Sequence, residues 1–382
     1  MKYNFDKIAD RRNTNQVKWD VKDNELPMWV ADMDFEVLPE IKEALTKGVN
    51  VGAYGYAIST DKYFEAYISW WKRNHNVTFK KEWMAFSSSV IASIDVIINT
   101  LTPIHSNIVL LSPIYNAFFN CVRNYERNVV ESFLIRKDND FYIDYEDLEN
   151  KLSDKNTSML IFCNPHNPIG KIWSKEDILK VSELCKKHNV IFLSDEIHCD
   201  ITDPGKKYVP ALSVTEDAIV CISGSKVFNM AGLRSSCVVI PNKEVHDKIQ
   251  KALWKYDVGE PNCLVADANI AAFTYGDEWV KELNEYLYKN KQEVASFIKN
   301  NIPQLTLVNE EATYLLWIDI SHFSNNSSEF ASKLREKTGL FVSSGDIYGT
   351  PGNSYIRMNI ATSLANVKDG LNRLKAYIDT LK

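Results

Sequence analysis

No stretch of the 382 residues approaches the roughly 20 consecutive apolar residues that a membrane-spanning helix needs, so an integral helical membrane protein is not expected. Residues 1–20 mix charges and amides without an apolar run, and no secretory signal is expected there. Basic residues are not in excess. Lys and Arg number 44 against 50 Asp and Glu, for a net charge of −6, and they are scattered; no basic stripe is available to a phosphate backbone, and nucleic acid is not an expected partner. There is no Cys-x-x-Cys pair. The seven cysteines (121, 163, 185, 199, 221, 237 and 263) are odd in number and widely spaced. That pattern fits neither a disulfide framework nor a thiolate metal site, and no metal is expected. Several lie inside apolar runs, where cysteine behaves as a small hydrophobe, and a reducing, cytoplasmic location is expected. Internal repeats and low-complexity tracts are also missing.

What is present is enough apolar material for a large core: 45% of residues are hydrophobic and 12% aromatic. The length predicts two domains, or one large domain with a satellite. Short, nearly continuous apolar runs recur at 108–111, 158–163, 190–193, 218–222 and 236–240. Strands covered on both faces read this way, which predicts an α/β fold with a mostly parallel sheet and helices on both faces. Between two of the runs, Ser174-Lys175-Glu176-Asp177 has the arrangement of a capping box. Ile178, Val181, Leu184 and Cys185 then recur at helical spacing, which makes a βαβ crossover. Residues 262–300 lack proline and read as long helices with one break at 275–277. After Pro303 the pattern changes to strands such as 314–318, with helices near 328–337 and 364–381, and predicts a smaller α+β domain. The expected division is a large domain over 45–285, with 1–44 and 286–382 together forming the small one.

In open α/β sheets ligands bind beyond the carboxyl ends of the strands, so the residues just after each apolar run carry the functional expectation. The run 218–222 is followed by Ser223-Gly224-Ser225-Lys226, with Arg234 eight residues beyond the lysine. An amine held at the end of a buried strand, among hydroxyls and near a guanidinium, suits a lysine that binds an aldehyde cofactor covalently while its neighbours hold a phosphate. Most lysines are solvated surface charges, and the motif alone leaves both readings open. The run 158–163 leads into Asn164-Pro165-His166-Asn167-Pro168, two Asn-Pro steps that favour an extended, rigid turn. The run 190–193 leads into Ser194-Asp195-Glu196-Ile197-His198. An acid buried there requires a cationic partner; a protonated pyridine nitrogen and an ordinary ion pair both meet that need.

In order and spacing these motifs resemble the fold-type I enzymes that use pyridoxal 5′-phosphate (PLP), the class I/II aminotransferase superfamily. More narrowly, Met28-Trp29-Val30-Ala31-Asp32-Met33-Asp34-Phe35, Tyr54-Gly55-Tyr56, 194–198 and Phe228-Asn229-Met230-Ala231-Gly232-Leu233 are similar to the MalY/PatB-type cystathionine β-lyases, a C-S lyase family. The resemblance implies a mostly parallel seven-stranded sheet and PLP as cofactor. Lys226 is then the lysine that holds PLP and takes the substrate Cα proton. Asp195 keeps the pyridine nitrogen protonated, which makes the ring an electron sink. Asn167 bonds the phenolate oxygen and borders the substrate, with His198 supporting the same network. Tyr115 matches the aromatic that stacks on the ring. Ser89, Val90 and Ile91, opening a helix toward Leu101, supply phosphate contacts completed by Ser223, Ser225 and Arg234. Tyr56, or Tyr54, matches a tyrosine that reaches the phosphate of a neighbouring subunit, which implies a homodimer with active sites at the interface. Arg357 matches the arginine that grips the substrate α-carboxylate, beside Trp29 and Ala31.

The chain departs from the family pattern at Ile169, where threonine is frequent, and at Gly224, where proline is frequent. It also departs at Ala312 and over Ile360-Ala361-Thr362-Ser363. The last two lie on the substrate side, and the order of motifs does not identify the leaving group; Trp29, Tyr54, Tyr314 and Tyr348 suggest an aromatic, roomy pocket. The resemblance implies β-elimination from cystathionine or another cysteine S-conjugate, giving thiol, pyruvate and ammonia. Transamination uses the same Lys226, Asp195 and Arg357 and is the alternative. A PLP-binding regulatory protein acting through a protein partner is the alternative of another class.

Overall fold

The computed structural model describes residues 2–381; Met1 and Lys382, the outermost residues of the expected small domain, lie outside the described residues. A seven-stranded sheet organises the first two thirds of the chain. Its strands are β1 (Met84–Ser87), β2 (Asn107–Ser112), β3 (Asn128–Phe133), β4 (Thr157–Cys163), β5 (Ile191–Asp195), β6 (Ala218–Ile222) and β7 (Ser236–Val239), in the spatial order β1-β7-β6-β5-β4-β2-β3. The central run β6-β5-β4-β2-β3 is parallel. Every residue of β6 is buried. The run reads as continuously apolar because each of its side chains gains about 1.5–3 kcal/mol when removed from water, whichever face it points to.

β7 is the exception to the parallel pattern and runs antiparallel to both its neighbours. The link from β6 to β7, residues 223–235, contains a single 3-10 turn and no α-helix of the kind that usually makes a parallel crossover. That short link carries Lys226 and Arg234. Two strands have no signature in the apolar runs: β1 has four residues, and the edge strand β3 mixes Glu131 and Ser132 with its apolar positions.

Between β4 and β5 runs α1 (Lys175–Lys187), opened by the full capping box in which Ser174 and Asp177 satisfy each other's backbone N–H groups. Residues 262–300 form two helices, α2 (Val265–Tyr275) and α3 (Asp277–Asn301), broken at Gly276 as the sequence predicts. A second sheet follows. Its strands β8 (Thr306–Leu307), β9 (Leu315–Asp319), β10 (Ser343–Ser344) and β11 (Tyr355–Asn359) lie in the order β8-β9-β11-β10, flanked by α4 (Ser327–Thr338) and α5 (Leu364–Asp379). The N-terminal segment joins this region: Leu26 and Pro27 pair in parallel with Leu340 and Phe341. Among the described residues no helix is long and apolar enough to cross a membrane.

Candidate active site

The parallel strands β2, β4, β5 and β6 end on one side of the sheet, and the residues following them line a single cavity. The cavity is bounded by Ala31, Ser89, Val90, Ile91, Tyr115, Cys163, Asn167, Asp195, Ile197, His198, Ser225, Lys226, Ala231, Arg234 and Ser235. Most of the expected site residues are therefore brought together. Trp29, Ser223, Arg357 and Tyr56 do not line it, for different reasons.

Lys226 enters from the turn after β6, where the Ser223 hydroxyl accepts from the Ser225 backbone N–H at 3.0 Å and donates to the Ser235 carbonyl at 2.6 Å. Ser223 thus shapes the loop. The Ser225 hydroxyl lies 2.9 Å from that of Ser223, at the edge of the cavity. The Lys226 Nζ donates to the Ala31 carbonyl at 2.6 Å, an oxygen that also accepts from Tyr314 at 3.1 Å. Burial lowers the Lys226 pKa to about 8, with the nearby Arg357 charge acting in the same direction and Asp32 and Asp195 opposing it. The segment holding Ala31 is clamped from both sides. Asn229, at φ 54°, binds Met33 and Phe35, and Asn359 binds Val30 and Asp32 through its amide. Below it, Arg11 and Lys18 pair with Asp32 and Asp34.

Asp195 ends β5 fully buried, with one hydrogen bond, from the Ile197 backbone N–H at 3.0 Å. Burial raises its pKa to about 7, partly offset by that bond and by Lys226. A cation delivered to the cavity would relieve this cost. His198 is also buried, its Nδ1 has no partner, and burial holds it neutral. Asn167 accepts from Arg357 Nη1 at 3.1 Å, which assigns its amide oxygen and leaves its NH2 as the donor end. The turn carrying Asn167 is pinned through Gly170, at φ 61°, whose carbonyl accepts from Glu311 and Ala312. A Cβ at Gly170 would meet the Ala312 carbonyl at 2.7 Å.

Ser89 caps the helix Val90–Leu101, whose first residues, Val90 and Ile91, line the cavity with backbone N–H groups that are unpaired among the described residues. Among the described residues the exposed Arg234 guanidinium has no hydrogen-bond or ion-pair partner. The cavity lining therefore offers a helix start and a guanidinium that suit an anion, a carboxylate that suits a cation, an amine and the aromatic ring of Tyr115. A phosphorylated pyridine aldehyde has that distribution of charge, and the residues fit it.

Arg357 sits on β11, the central strand of the small sheet, opposite Trp317 and Ser343. Its Nη2 donates to the Trp29 carbonyl at 2.9 Å, its Cζ lies 4.8 Å from the Tyr348 ring centroid, and its buried Nε has no partner. It reaches the cavity through Asn167. Trp29 contributes its carbonyl, while its ring stacks on Phe341 at 4.5 Å. Tyr56 and Tyr54 are both exposed on the surface stretch 51–60, away from this chain's own cavity.

The lining residues Cys163, Ile197, Ala231 and Ser235 were not singled out from sequence, although each is one to four residues from one that was. Glu196 was also missed. Fully buried beside Asp195, it is held by Ser194, Tyr208 and the Ala211 backbone N–H, and burial raises its pKa to about 8. Its signal was available as a second acid at a strand end. His75, Cys199 and Asp200 form a separate buried group whose donor atoms lie within 4.8 Å of one another; there Asp200 accepts from His75 and Trp70 and from the Cys199 thiol.

Comparison with known proteins follows this geometry. The sequence profile of the family described as aminotransferase class I and II matches residues 24–374. The cystathionine beta-lyase PatB of Bacillus subtilis is 36% identical over 386 residues, covering 98% of this chain and 100% of the relative. A PLP-bound structure from Clostridium difficile 630 is 36% identical with a TM-score of 0.95, covering 98% of this chain and 100% of that one. A PLP-bound C-S lyase from Staphylococcus hominis is 30% identical with a TM-score of 0.92, covering 98% of both chains.

Proposed function

The chain belongs to the aminotransferase class I and II family, and we propose that it is a PLP-dependent C-S lyase acting on cystathionine or another cysteine S-conjugate. The carrying observation is that Lys226, Asp195, a helix start and Arg234, which has no partner among the described residues, line one cavity. PLP, when bound, supplies an aldehyde that captures amines and a protonated ring that accepts the electron pair left at Cα.

The remaining steps belong to side chains. Ser89, the N–H groups of residues 90 and 91, Ser225 and Arg234 hold the phosphate; Ser223 supports them by fixing the turn. Asp195 would keep a proton on the ring nitrogen, Asn167 would donate to the phenolate oxygen with His198 in support, and Tyr115 would pack on the ring. Arg357 grips the α-carboxylate next to the Trp29 and Ala31 backbone, which turns the Cα–H toward Lys226. With its pKa lowered to about 8, the Lys226 amine is suited to accept that proton near neutral pH. A thiolate then leaves from Cβ, and hydrolysis gives pyruvate and ammonia. Incubation with L-cystathionine is expected to release thiol and pyruvate in equal amounts with no keto acid added. Product that forms only when a keto acid is supplied would establish the aminotransferase instead.

We divide the chain into a PLP-binding domain over 45–285 and a small domain formed by 1–44 and 286–382, and we assign the reaction to the cytoplasm, which seven unpaired cysteines support. The active unit in this reading is a homodimer. Val51, Tyr54, Tyr56 and Ile58 expose their side chains on one short stretch, and covering it with a second copy removes that apolar surface from water. Tyr56 then reaches the partner's phosphate site. Sedimentation is expected to give the mass of two chains, and Tyr56→Phe is expected to lower PLP affinity about tenfold through loss of one phosphate hydrogen bond. A monomer that binds PLP as tightly as the native protein would rule the dimer out.

A further inference from the structure

We propose that Glu131 is a positioning residue for the substrate carboxylate, acting through a strap that holds Tyr348 against Arg357. The inference rests on the reading of Arg357 as the carboxylate grip and deepens it. Glu131 lies on the edge strand β3 of the large sheet, with no cation against it among the described residues. Its carboxylate is taken instead by Thr350: Oε2 accepts from the Thr350 backbone N–H at 3.0 Å and Oε1 from the Thr350 hydroxyl at 2.7 Å. Thr350 belongs to the loop 345–354, which connects β10 to β11 in the small sheet. One side chain of the large sheet therefore clasps a loop of the small one at two points.

The loop is fixed at its other end as well. Ser327 and Ser328, at the start of α4, donate to the two oxygens of Asp346, and the Asp346 backbone N–H returns a bond to Ser327 at 3.0 Å. Between these anchors sits Tyr348, buried, with its carbonyl accepting from the Ile114 backbone N–H at 2.8 Å, next to Tyr115. Its ring is the one 4.8 Å from the Arg357 guanidinium. The turn that makes this possible is closed to larger residues. Gly349 has φ 113°, and a Cβ there would meet Glu131 Oε2 at 2.5 Å.

The Arg357 Nε has no partner of its own, so the orientation of the guanidinium plane depends on Asn167, on the Trp29 carbonyl and on the face of Tyr348. Two-pronged recognition of a carboxylate fails when that plane tilts. Removing the Glu131 clasp releases the strap, lets Tyr348 retreat and weakens binding of the carboxylate, without touching Lys226 or Asp195. The expected signature is a change in KM with kcat preserved.

The test compares Glu131→Ala, Glu131→Gln and Thr350→Val in the PLP-loaded protein. Glu131→Ala should raise KM about tenfold, the equivalent of one charge-assisted hydrogen bond, with kcat within about twofold. It should also speed amide hydrogen exchange across 345–354. Glu131→Gln retains an acceptor for the Thr350 N–H and should stay near the native KM, and Thr350→Val, which loses one of the two bonds, should fall between them. An unchanged KM in Glu131→Ala, or equal damage in Glu131→Gln, overturns the proposal. The measurement uses whichever amino acid the native protein consumes, with or without a keto acid, so a failure of the lyase reading leaves it intact. A native protein that consumes no amino acid overturns the Arg357 reading, and this proposal with it.

Discussion

Lys226→Ala is expected to reduce turnover of L-cystathionine by at least about 10⁴-fold, the upper end of what a positioned acid-base group contributes. In the proposed reaction the lysine has two tasks, and alanine removes both: it anchors the aldehyde covalently and takes the Cα proton. No neighbouring group can take over. Asp195 lacks an amine, the Arg357 guanidinium is engaged by Asn167 and the Trp29 carbonyl, and burial lowers the His198 pKa, which makes its imidazole a poor base. The fold should survive, because the Lys226 amine makes only one hydrogen bond, to the Ala31 carbonyl, and Tyr314 already satisfies that oxygen. The checks are steady-state rates and the visible spectrum. The native protein should be yellow, with a band that borohydride bleaches and fixes to the chain; the variant should release its cofactor on dialysis after the same treatment. Residual turnover within about a hundredfold of native would move the base elsewhere in the cavity. A biological effect that persists in the inactive variant would favour the regulatory binding role instead.

How much of this was legible in the sequence depended on how local the signal was. The central parallel strands are legible because burial on both faces leaves an uninterrupted apolar run, and the residues just beyond their ends include Asn167, Asp195 and Lys226. The capping box at Ser174 and the break at Gly276 are also local chemistry, and both held. The strands β1 and β3 were not legible, since a short strand and a half-exposed edge lack that pattern. Nor was the reversal of β7, which depends on the link and not on the composition of the strand. Contacts between residues far apart along the chain, such as Glu131 meeting Thr350, have no sequence signature, because neither residue type is unusual where it stands. Arg357 was recognisable through its motif. Its dependence on Tyr348 and Asn167 becomes visible only once two sheets are packed together.

Asp195→Asn is expected to lower kcat by about 10²–10⁴-fold, because a neutral amide cannot keep the ring nitrogen protonated and the electron sink is lost. The same substitution has a second consequence, measurable on the protein without its cofactor. Burial raises the Asp195 pKa to about 7, against about 3.9 for an unfolded aspartate. Between those values the folded chain holds a proton that the unfolded chain has released, so the unfolding free energy contributed by this group falls as pH rises from about 4 to about 7. Three pH units correspond to roughly 4 kcal/mol as an upper bound. Asparagine does not titrate. The cofactor-free variant should therefore gain stability relative to the cofactor-free native protein as pH is raised from 5 to 8, with the two converging toward pH 4. Measuring the difference between the two proteins cancels the titration of His166, which both share, and leaves that of Asp195 together with the groups coupled to it, Glu196 and Lys226. Binding PLP brings a cation to the carboxylate, depresses its pKa and should flatten the pH dependence in the native protein alone. A stability difference that does not change with pH, or PLP binding that leaves the native profile unaltered, would mean that no cation meets Asp195, and the proposed orientation of the cofactor would fall.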